Sequence, residues 1–421
     1  MTYLPALQKT DPTIRDLIIA EEKREWDKMR LIPSENYASS AVFEASGTCL
    51  TNIYSEGYPG KRYYEGQQYT DQVESLAIER AKALFGMPHA NVQPYSGSPA
   101  NMAVYHAVLS HGDSIMGLAL THGGHLTHGW KVNFSGLTYH ATPYELDPAT
   151  EMLNYDNIWK LAKETKPKLI IAGYTAYPRI IDFTKFREIC DDVGALFHAD
   201  TSHITGLIVG GVHPSPYPMA DTGITTSHKT LRGPRGAMIL CKEQYAEKID
   251  KAIMPGLQGG PHNATTAAIA VALHEAAQPE FKLYAQQIVR NAKALAETLN
   301  SHGFRLVSGG TDNHLILFET QKSKGINGRD AAKALDKAGI VTNCNTVPFD
   351  PNPPFKPSGV RIGTPCVTSR GMKEAEMKKL GDWMDRAINA ATDEAELAKI
   401  AGEVKECCKS FACPGIDPKN W

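Results

Sequence analysis

The segment 227–236 reads SHKTLRGPRG and places Lys229 directly before two turns that contain glycine. A lysine between a predicted strand and such turns can project into a cleft. Burial there lowers the pKa of the amine and makes it nucleophilic toward a carbonyl, which permits Schiff-base chemistry. Because most lysines are exposed and bind nothing, this interpretation depends on the residues that the fold brings to the same place.

Asp200 is one such residue, since it ends the apolar segment 195–200 (ALFHAD), which we interpret as a buried strand. Ligands of open α/β sheets bind at the carboxyl ends of the strands. An aspartate there can pair with a pyridinium nitrogen and keep it protonated, although an isolated aspartate is more often a helix cap. His203 follows three residues later, where it can contact a cofactor.

Ser96, Gly97 and Ser98 lie in the segment VQPYSGSPAN (92–101), just before a predicted helix over residues 100–109. Hydroxyls and backbone N–H groups at a helix N-terminus can hold a phosphate. A plain helix cap explains Ser-Gly-Ser equally well when the motif is taken alone. A phosphate site is therefore favoured only in combination with the lysine and the aspartate.

The segment 121–129 (THGGHLTHG) contains three histidines, His122, His125 and His128. Their spacing of three residues differs from the HExxH arrangement of zinc enzymes, and no cluster of carboxylates accompanies them. We therefore predict no metal site here and expect an imidazole stacked on a flat ring.

The elements that must position these residues alternate between strands and helices. Apolar runs at 168–173 (KLIIAG) and 195–200 indicate strands, and residues 182–193 between them have helical spacing, which makes a βαβ unit. Another strand, 236–241 (GAMILC), follows the segment of Lys229. The pattern predicts an α/β fold with a mainly parallel sheet covered by helices.

The chain has 421 residues, more than one hydrophobic core usually serves. A long helical stretch, roughly 265–299, breaks near Pro279 and is suited to bridging two domains. Strands are predicted beyond it at 304–308 and 314–319, with a helix at 330–338. We divide the chain into an N-terminal helical arm (1–50), a large domain (51–280) and a smaller C-terminal α+β domain (281–421).

The formal net charge of −2 provides no basic field for nucleic acid or an acidic membrane surface. The N-terminal residues lack the apolar segment of a signal peptide and no apolar run is long enough to span a bilayer, so we expect a cytoplasmic protein. The eight cysteines are scattered, which indicates reduced thiols. The adjacent Cys407 and Cys408 leave open an exposed redox or metal site.

Taken together, these motifs resemble those of the serine hydroxymethyltransferase family, whose members are fold-type-I pyridoxal-phosphate enzymes. The resemblance covers nearly the whole chain and rests on long motifs in the family's order: LIPSENYAS (31–39), YSEGYPGKRYY (54–64), QPYSGSPAN (93–101), THGGHLTHG, DTSH (200–203), SHKTLRGPRG, GLQGGP (256–261), SGGTDNH (308–314) and SGVRIGTP (358–365). A series of this length is specific, unlike any one short pattern. It implies a seven-stranded, mainly parallel sheet in the large domain.

The resemblance also implies roles for individual residues. Lys229 would bind pyridoxal 5'-phosphate covalently, Asp200 would pair with its pyridine nitrogen and His125 would stack over its ring. His203 would lie near the phenolic oxygen and His228 beside the lysine. The remaining cofactor contacts would come from Thr226, from the phosphate-binding residues Ser96, Gly97 and Ser98, and from Gly259, Gly260 and Tyr54 of a second subunit.

For the substrates, the resemblance implies that Arg361 binds the amino-acid carboxylate with help from Ser34, a task that suits the planar guanidinium. Glu56 would act as the acid/base carboxylate near the serine hydroxyl, with Tyr64 beside it. Tetrahydrofolate would be the co-substrate, and the residues that frame its pteridine would be Leu120, Gly124, Leu126 and Asn345.

Some positions differ from the commonest family pattern. Four carry small polar side chains where the family usually has another small residue, which should leave cofactor binding intact: Thr121, Thr175, Ser202 and Ser227. Ile53 and Glu65 flank the loop of Glu56 and Tyr64, where the family more often has lysine and glycine. The inference about folate handling and substrate preference depends most on these two positions.

The predicted function is the reversible conversion of L-serine and tetrahydrofolate to glycine and 5,10-methylenetetrahydrofolate by a homodimer with shared active sites, or by a higher oligomer. One alternative is a folate-independent aldolase, transaldolase or hydroxymethyltransferase for β-hydroxy or α-methyl amino acids that uses the same lysine and arginine. Another is a catalytically silent scaffold or an RNA-binding protein. The charge argues against RNA, and the presence of Lys229, Asp200 and Arg361 argues against silence.

Overall fold

The structure is a computed structural model that describes residues 4–421. Its strands are β1 Met29–Arg30, β2 Gly57–Tyr58, β3 Lys61–Arg62, β4 His89–Asn91, β5 Ser114–Leu118, β6 His140–Tyr144, β7 Leu169–Ala172, β8 Leu196–Asp200, β9 Thr222–Thr226, β10 Ala237–Cys241, β11 Arg305–Leu306, β12 Leu315–Glu319, β13 Ile340–Val341, β14 Asn343–Asn345 and β15 Gly359–Gly363. Its α-helices are α1 Pro5–Thr10, α2 Pro12–Asp27, α3 Ser40–Ser46, α4 Gln68–Phe85, α5 Gly97–Val108, α6 Phe134–Thr138, α7 Tyr155–Thr165, α8 Phe183–Val193, α9 Thr205–Val209, α10 Ala246–Lys251, α11 Asn263–Ala276, α12 Pro279–Ser301, α13 Thr320–Lys324, α14 Gly328–Lys337, α15 Pro365–Ser369, α16 Glu374–Asn389 and α17 Glu394–Cys408.

A seven-stranded sheet forms the centre of the fold, with the strand order β4-β10-β9-β8-β7-β5-β6. Only β10 runs antiparallel to its neighbours, and the other pairings are parallel. Because both faces are covered, its strands are apolar on both sides: Met116 and Ile170 join one core cluster, while Ile115 and Ile171 join another. The predicted seven-stranded, mainly parallel sheet is confirmed.

The predicted βαβ unit is β7, α8 and β8. Asp182 caps α8, since its side chain accepts hydrogen bonds from the backbone N–H groups of Thr184 and Lys185. Gly194 ends the helix at a φ of 71°, a conformation that glycine adopts easily. Both ends of this helix are therefore set by local sequence, and β8 delivers Asp200 to the carboxyl edge of the sheet.

A second, antiparallel sheet has the order β11-β12-β15-β14 and packs with helices α12, α14, α16 and α17 around its own core. The first half of α12 packs on the core of the central sheet through Phe281 and Ile288. Its second half packs on the other core through Leu295 and Leu299. The helix thus connects the two cores, as predicted from the break near Pro279.

The segment predicted as a helical arm contains a strand as well as helices. Met29 and Arg30 form β1, which pairs in parallel with β13, and Met29 and Leu31 are fully buried in the second core. Two residues are too few to show a periodic pattern, so this pairing was not expected. The division of the chain at residues 50 and 280 stays a prediction.

The strand predicted at 304–308 is shorter, because β11 ends at Leu306. Ser308 has a φ of 56°, outside the strand region, and its backbone N–H donates to Glu151 at 2.8 Å.

Within residues 4–421, no helix combines the length and the apolar character that crossing a bilayer would require.

Candidate active site

A cavity of about 380 Å³ opens where strands of the central sheet end. Its lining includes fourteen residues that were assigned a role in the site from the sequence: Ser34, Ser96, Gly97, Ser98, Leu120, Gly124, His125, Leu126, Asp200, His203, Thr226, His228, Lys229 and Arg361. Asp200 ends β8, Thr226 ends β9, and Lys229 follows three residues after that strand. The parallel sheet therefore brings together groups that are far apart in the sequence.

Asp200 is buried and accepts four hydrogen bonds. Its Oδ2 accepts from Nδ2 of Asn101 and Nε2 of His128, both at 3.0 Å. Its Oδ1 accepts from the backbone N–H of Ser202 at 3.2 Å and from the Ser202 hydroxyl at 2.6 Å. Burial by itself raises the pKa of Asp200, but His128 and Ser202 outweigh burial and hold it well below its usual range. The carboxylate therefore keeps its negative charge.

Lys229 is buried in the same cavity. Burial lowers the pKa of its amine to about 8, although Asp200 acts in the opposite direction, and Arg361 and Arg235 lower it further. About a tenth of such an amine is neutral at pH 7, a few hundred times more than for an exposed lysine. The neutral form is the nucleophile. This environment matches the one predicted for the lysine from its sequence neighbours.

The phosphate-binding residues lie at the N-terminus of α5, where Ser96 is the N-cap and its side chain makes no capping hydrogen bond. A Cβ on Gly97 would lie 2.8 Å from Cγ2 of Thr226, so glycine permits this close approach. The Thr226 hydroxyl oxygen is buried without a partner among the described residues. A helix N-terminus with free hydroxyls suits a phosphate group.

Three histidines of the cavity, His125, His203 and His228, are held neutral. Burial lowers the pKa of His125 to about 4 and that of His228 to about 3, and it lowers the pKa of His203 well below its usual range. His203 lies beside His314, with the two ring planes inclined by 24° and Nδ1 of His203 3.4 Å from Nε2 of His314. Neutral rings can pack against a flat ligand at a lower desolvation cost than charged rings.

The charges of the cavity favour anionic ligands. Three cationic side chains, Lys229, Arg235 and Arg361, line it together with one carboxylate, Asp200. Within residues 4–421, Arg361 forms no ion pair with an acidic side chain. A ligand with a phosphate and a pyridine nitrogen, together with an amino acid that carries a carboxylate, would satisfy both the cations and Asp200. The residues present therefore fit pyridoxal phosphate and an amino acid.

Five predicted site residues lie away from the cavity of their own chain: Tyr54, Glu56, Tyr64, Gly259 and Gly260. The tyrosine hydroxyls donate to Glu56, from Tyr64 at 2.8 Å and from Tyr54 at 3.2 Å. Tyr54 and Glu56 pack against the two glycines. Glu56 and Gly259 line a separate cavity of about 430 Å³, and none of the five lines the cavity of Lys229.

Asn345 also lies outside the cavity lining. It is on β14, and its Nδ2 donates to the backbone carbonyl of Thr346 at 2.7 Å. The Thr346 hydroxyl in turn donates to the backbone carbonyl of Thr121 at 3.3 Å. Asn345 is thus linked through its neighbour to the segment that carries Leu120 and Gly124.

Three of the four small polar departures from the family pattern, Thr175, Ser202 and Ser227, form side-chain hydrogen bonds. Ser202 donates to Asp200, and its oxygen accepts from the backbone N–H of Thr226 at 3.2 Å. The Ser227 hydroxyl donates to the Pro234 carbonyl at 2.6 Å. The Thr175 hydroxyl donates to the Gly124 carbonyl at 2.8 Å. These side chains fit the fold without leaving a buried hydroxyl unpaired.

Several residues of the site were not assigned to it from the sequence. His128 and Asn101 bind Asp200, while Arg235 and Tyr174 line the cavity. His128 was recognised only as part of a histidine-rich segment, and its spacing of three from His125 was the available signal. Asn101 lies within α5, and no local pattern predicts which carboxylate a helical asparagine will reach.

Metal-ligand atoms of His125, His128 and Asp200 lie within 4.8 Å of one another, the one such group among residues 4–421. The hydrogen bond between His128 and Asp200 already uses two of these side chains. His128 and Asp200 thus have a role that needs no ion. That no metal is required stays a prediction.

Comparisons with known proteins agree over the length of the chain. A family model described as serine hydroxymethyltransferase matches residues 7–384. Curated proteins named serine hydroxymethyltransferase are 60% identical in Desulfotalea psychrophila (98% of this chain and 97% of that protein), 60% in Acidothermus cellulolyticus (98% and 98%) and 58% in Sorangium cellulosum (98% and 97%). The chain belongs to the serine hydroxymethyltransferase family of fold-type-I pyridoxal-phosphate-dependent transferases, which confirms the family and the fold class that its motifs indicated.

Proposed function

We propose that this chain is a glycine hydroxymethyltransferase that converts L-serine and tetrahydrofolate to glycine and 5,10-methylenetetrahydrofolate, reversibly and with pyridoxal phosphate bound covalently to Lys229. Membership of the family over nearly the whole chain carries the proposal. The buried Lys229 amine, whose pKa is about 8, supports the place of the cofactor.

Pyridoxal phosphate, when bound, supplies the electron sink for breaking a bond at the α-carbon of the amino acid. The chain's own residues hold and orient the reactants. Asp200 keeps its charge because of its four hydrogen bonds, so it can hold a proton on the pyridine nitrogen. His125, as a neutral imidazole, would pack on the ring of the cofactor, and the residues at the N-terminus of α5 would bind its phosphate.

Arg361 binds the amino-acid carboxylate, and Ser34 assists it. This assignment rests on the family motif and is supported by a guanidinium that lines the cavity without an acidic partner among the described residues. A carboxylate that enters the cavity would form a charge-assisted pair with it, stronger than a neutral hydrogen bond. The position of Arg361 thus sets where the α-carbon lies relative to Lys229.

The active site is shared between two subunits of a homodimer. Support comes from Tyr54, Glu56, Tyr64, Gly259 and Gly260, which cluster outside the cavity of their own chain. From the partner, Glu56 would exchange a proton with the serine hydroxyl, with Tyr64 donating a hydrogen bond to it. Leu120, Gly124, Leu126 and Asn345 would frame the pteridine, and a higher oligomer remains compatible with this arrangement.

A comparison of glycine formation from serine with and without tetrahydrofolate tests the reaction. We expect formation that depends on tetrahydrofolate and is lost in Lys229→Ala. Equal rates with and without tetrahydrofolate would instead support the folate-independent aldolase. The cytoplasmic location stays a prediction.

A further inference from the structure

Arg361 lies on β15, which runs between β12 and β14 in the second sheet. On β12 its partner across the strands is Leu317, which belongs to a small apolar cluster with Ala176 and Val347. On β14 its partner is Asn343. Residues directly opposite each other in neighbouring strands project to the same face. Asn343 is therefore the polar neighbour that the sheet places beside the Arg361 side chain.

Two hydrogen bonds hold the guanidinium. Its Nε donates to Oδ1 of Asn343 at 3.1 Å, and its Nη1 donates to the backbone carbonyl of Thr175 at 2.7 Å. Asn343 is itself oriented, because its Nδ2 donates to the backbone carbonyl of Cys344 at 2.9 Å. Three N–H groups of Arg361, one on Nη1 and two on Nη2, have no partner among the described residues. They form the end of the guanidinium that can bind a carboxylate with two parallel hydrogen bonds.

Both partners of Arg361 are neutral acceptors. They fix its position but leave its positive charge uncompensated, and burial lowers the pKa of the guanidinium to about 10. A carboxylate in place of either partner would pair with Arg361 and compete with an incoming anion. The neutrality of the orienting group is therefore as important as its hydrogen bond.

We propose that Asn343 is a positioning residue for the amino-acid substrate: its neutral hydrogen bond to Nε fixes the guanidinium plane and keeps the Nη end of Arg361 free for the substrate carboxylate. The inference rests on the proposed function, because it assumes that Arg361 binds the carboxylate. It adds a residue that lies outside the cavity lining and acts through Arg361.

The decisive variant is Asn343→Asp, which keeps the shape of the side chain and the acceptor Oδ1 but replaces the Nδ2 donor with an oxygen and adds a negative charge. KM for serine should rise about a hundredfold, since a half-buried carboxylate that pairs with Arg361 competes with the substrate. KM for tetrahydrofolate and kcat should change little. Asn343→Ala removes the acceptor without adding charge and should raise KM for serine about tenfold, the usual loss for a hydrogen bond to a charged group. Calorimetric titration of the holoenzymes with glycine should give the same order of affinities.

Cys344→Ser is the matched control, since it changes the next residue on β14 and should leave both KM values unchanged. If Asn343→Asp kept the KM of the wild type for serine, the role of Asn343 would be structural and the inference wrong. Arg361→Lys separates this failure from failure of the proposed function. If that variant raised KM for serine while Asn343→Asp did not, only the inference would fail. If Arg361→Lys also left KM unchanged, the assignment of Arg361 itself would be wrong.

Discussion

At the scale of single residues, the site depends on a buried aspartate that stays charged. Four donors surround Asp200, two of them from Ser202 and one each from Asn101 and His128. Asn101 is fixed in turn, because its Oδ1 accepts from Nε2 of His198 at 2.8 Å. This chain of hydrogen bonds allows a negative charge in a buried position, where an unpaired carboxylate would be very costly.

The depressed pKa of Lys229 predicts how the protein without cofactor takes up pyridoxal phosphate. The neutral amine is the reactive form. Below the pKa, the neutral fraction grows about tenfold for each unit by which the pH is raised. The capture rate should therefore rise with pH up to about 8 and level off above it. Stopped-flow absorbance after mixing the apoprotein with cofactor measures this rate.

Lys229→Ala is the control, since it should bind the cofactor without forming the covalent bond. A rate that keeps rising to about pH 10 would mean that Lys229 has the pKa of an exposed lysine.

At the scale of elements, local signals predicted some parts of the fold and missed others. The unit β7, α8 and β8 was predictable because Asp182 and Gly194 mark both ends of the helix. The pairing of β1 with β13 was not, because two residues carry no period and their partners are more than three hundred residues away.

The same limit applied to the site. The strand end at Asp200 and the turn after Lys229 were visible in the sequence, whereas two of the donors to Asp200, Asn101 and His128, come from distant parts of the chain. The family motifs indicated which residues matter, but they did not predict that Glu56 and Tyr64 would cluster away from the cavity of their own chain. Such contacts depend on tertiary packing rather than on local pattern.

The close approach of α5 to β9 predicts a specific effect on cofactor affinity. Gly97→Ala adds a Cβ 2.8 Å from Cγ2 of Thr226, so the phosphate-binding turn must shift. Overpacking of this kind typically costs about 1–3 kcal/mol, and the affinity for pyridoxal phosphate should fall about tenfold or more. Fluorescence titration of the apoprotein with pyridoxal phosphate measures this affinity.

A second substitution tests whether the methyl contact is the cause. Thr226→Ser removes Cγ2 and keeps the hydroxyl, so combined with Gly97→Ala it should recover part of the affinity. Gly402→Ala is the matched control, because a Cβ there meets nothing within 4 Å. If the double variant bound no better than Gly97→Ala alone, steric contact with Thr226 would not be the reason.

At the scale of the whole molecule, the arrangement of Glu56 and Lys229 predicts complementation between inactive subunits. Lys229→Ala and Glu56→Gln should each be nearly inactive alone. In a mixed dimer, one site combines an intact lysine with an intact glutamate, so it should have about half of the wild-type activity. Coexpression with two different affinity tags allows the mixed dimer to be purified and assayed.

A wild-type dimer with the same two tags serves as the reference. If each subunit supplied a complete site, both sites of the mixed dimer would be defective and its activity would equal that of the inactive parents. That result would exclude shared sites while leaving the proposed reaction unaffected.

The most direct test of the account is to find which amine holds the cofactor. Borohydride reduction of the holoprotein, followed by proteolysis and mass spectrometry, fixes pyridoxal phosphate to that amine. The account predicts the added mass on the peptide that contains Lys229. Added mass on a different lysine, or none on any peptide, would contradict it.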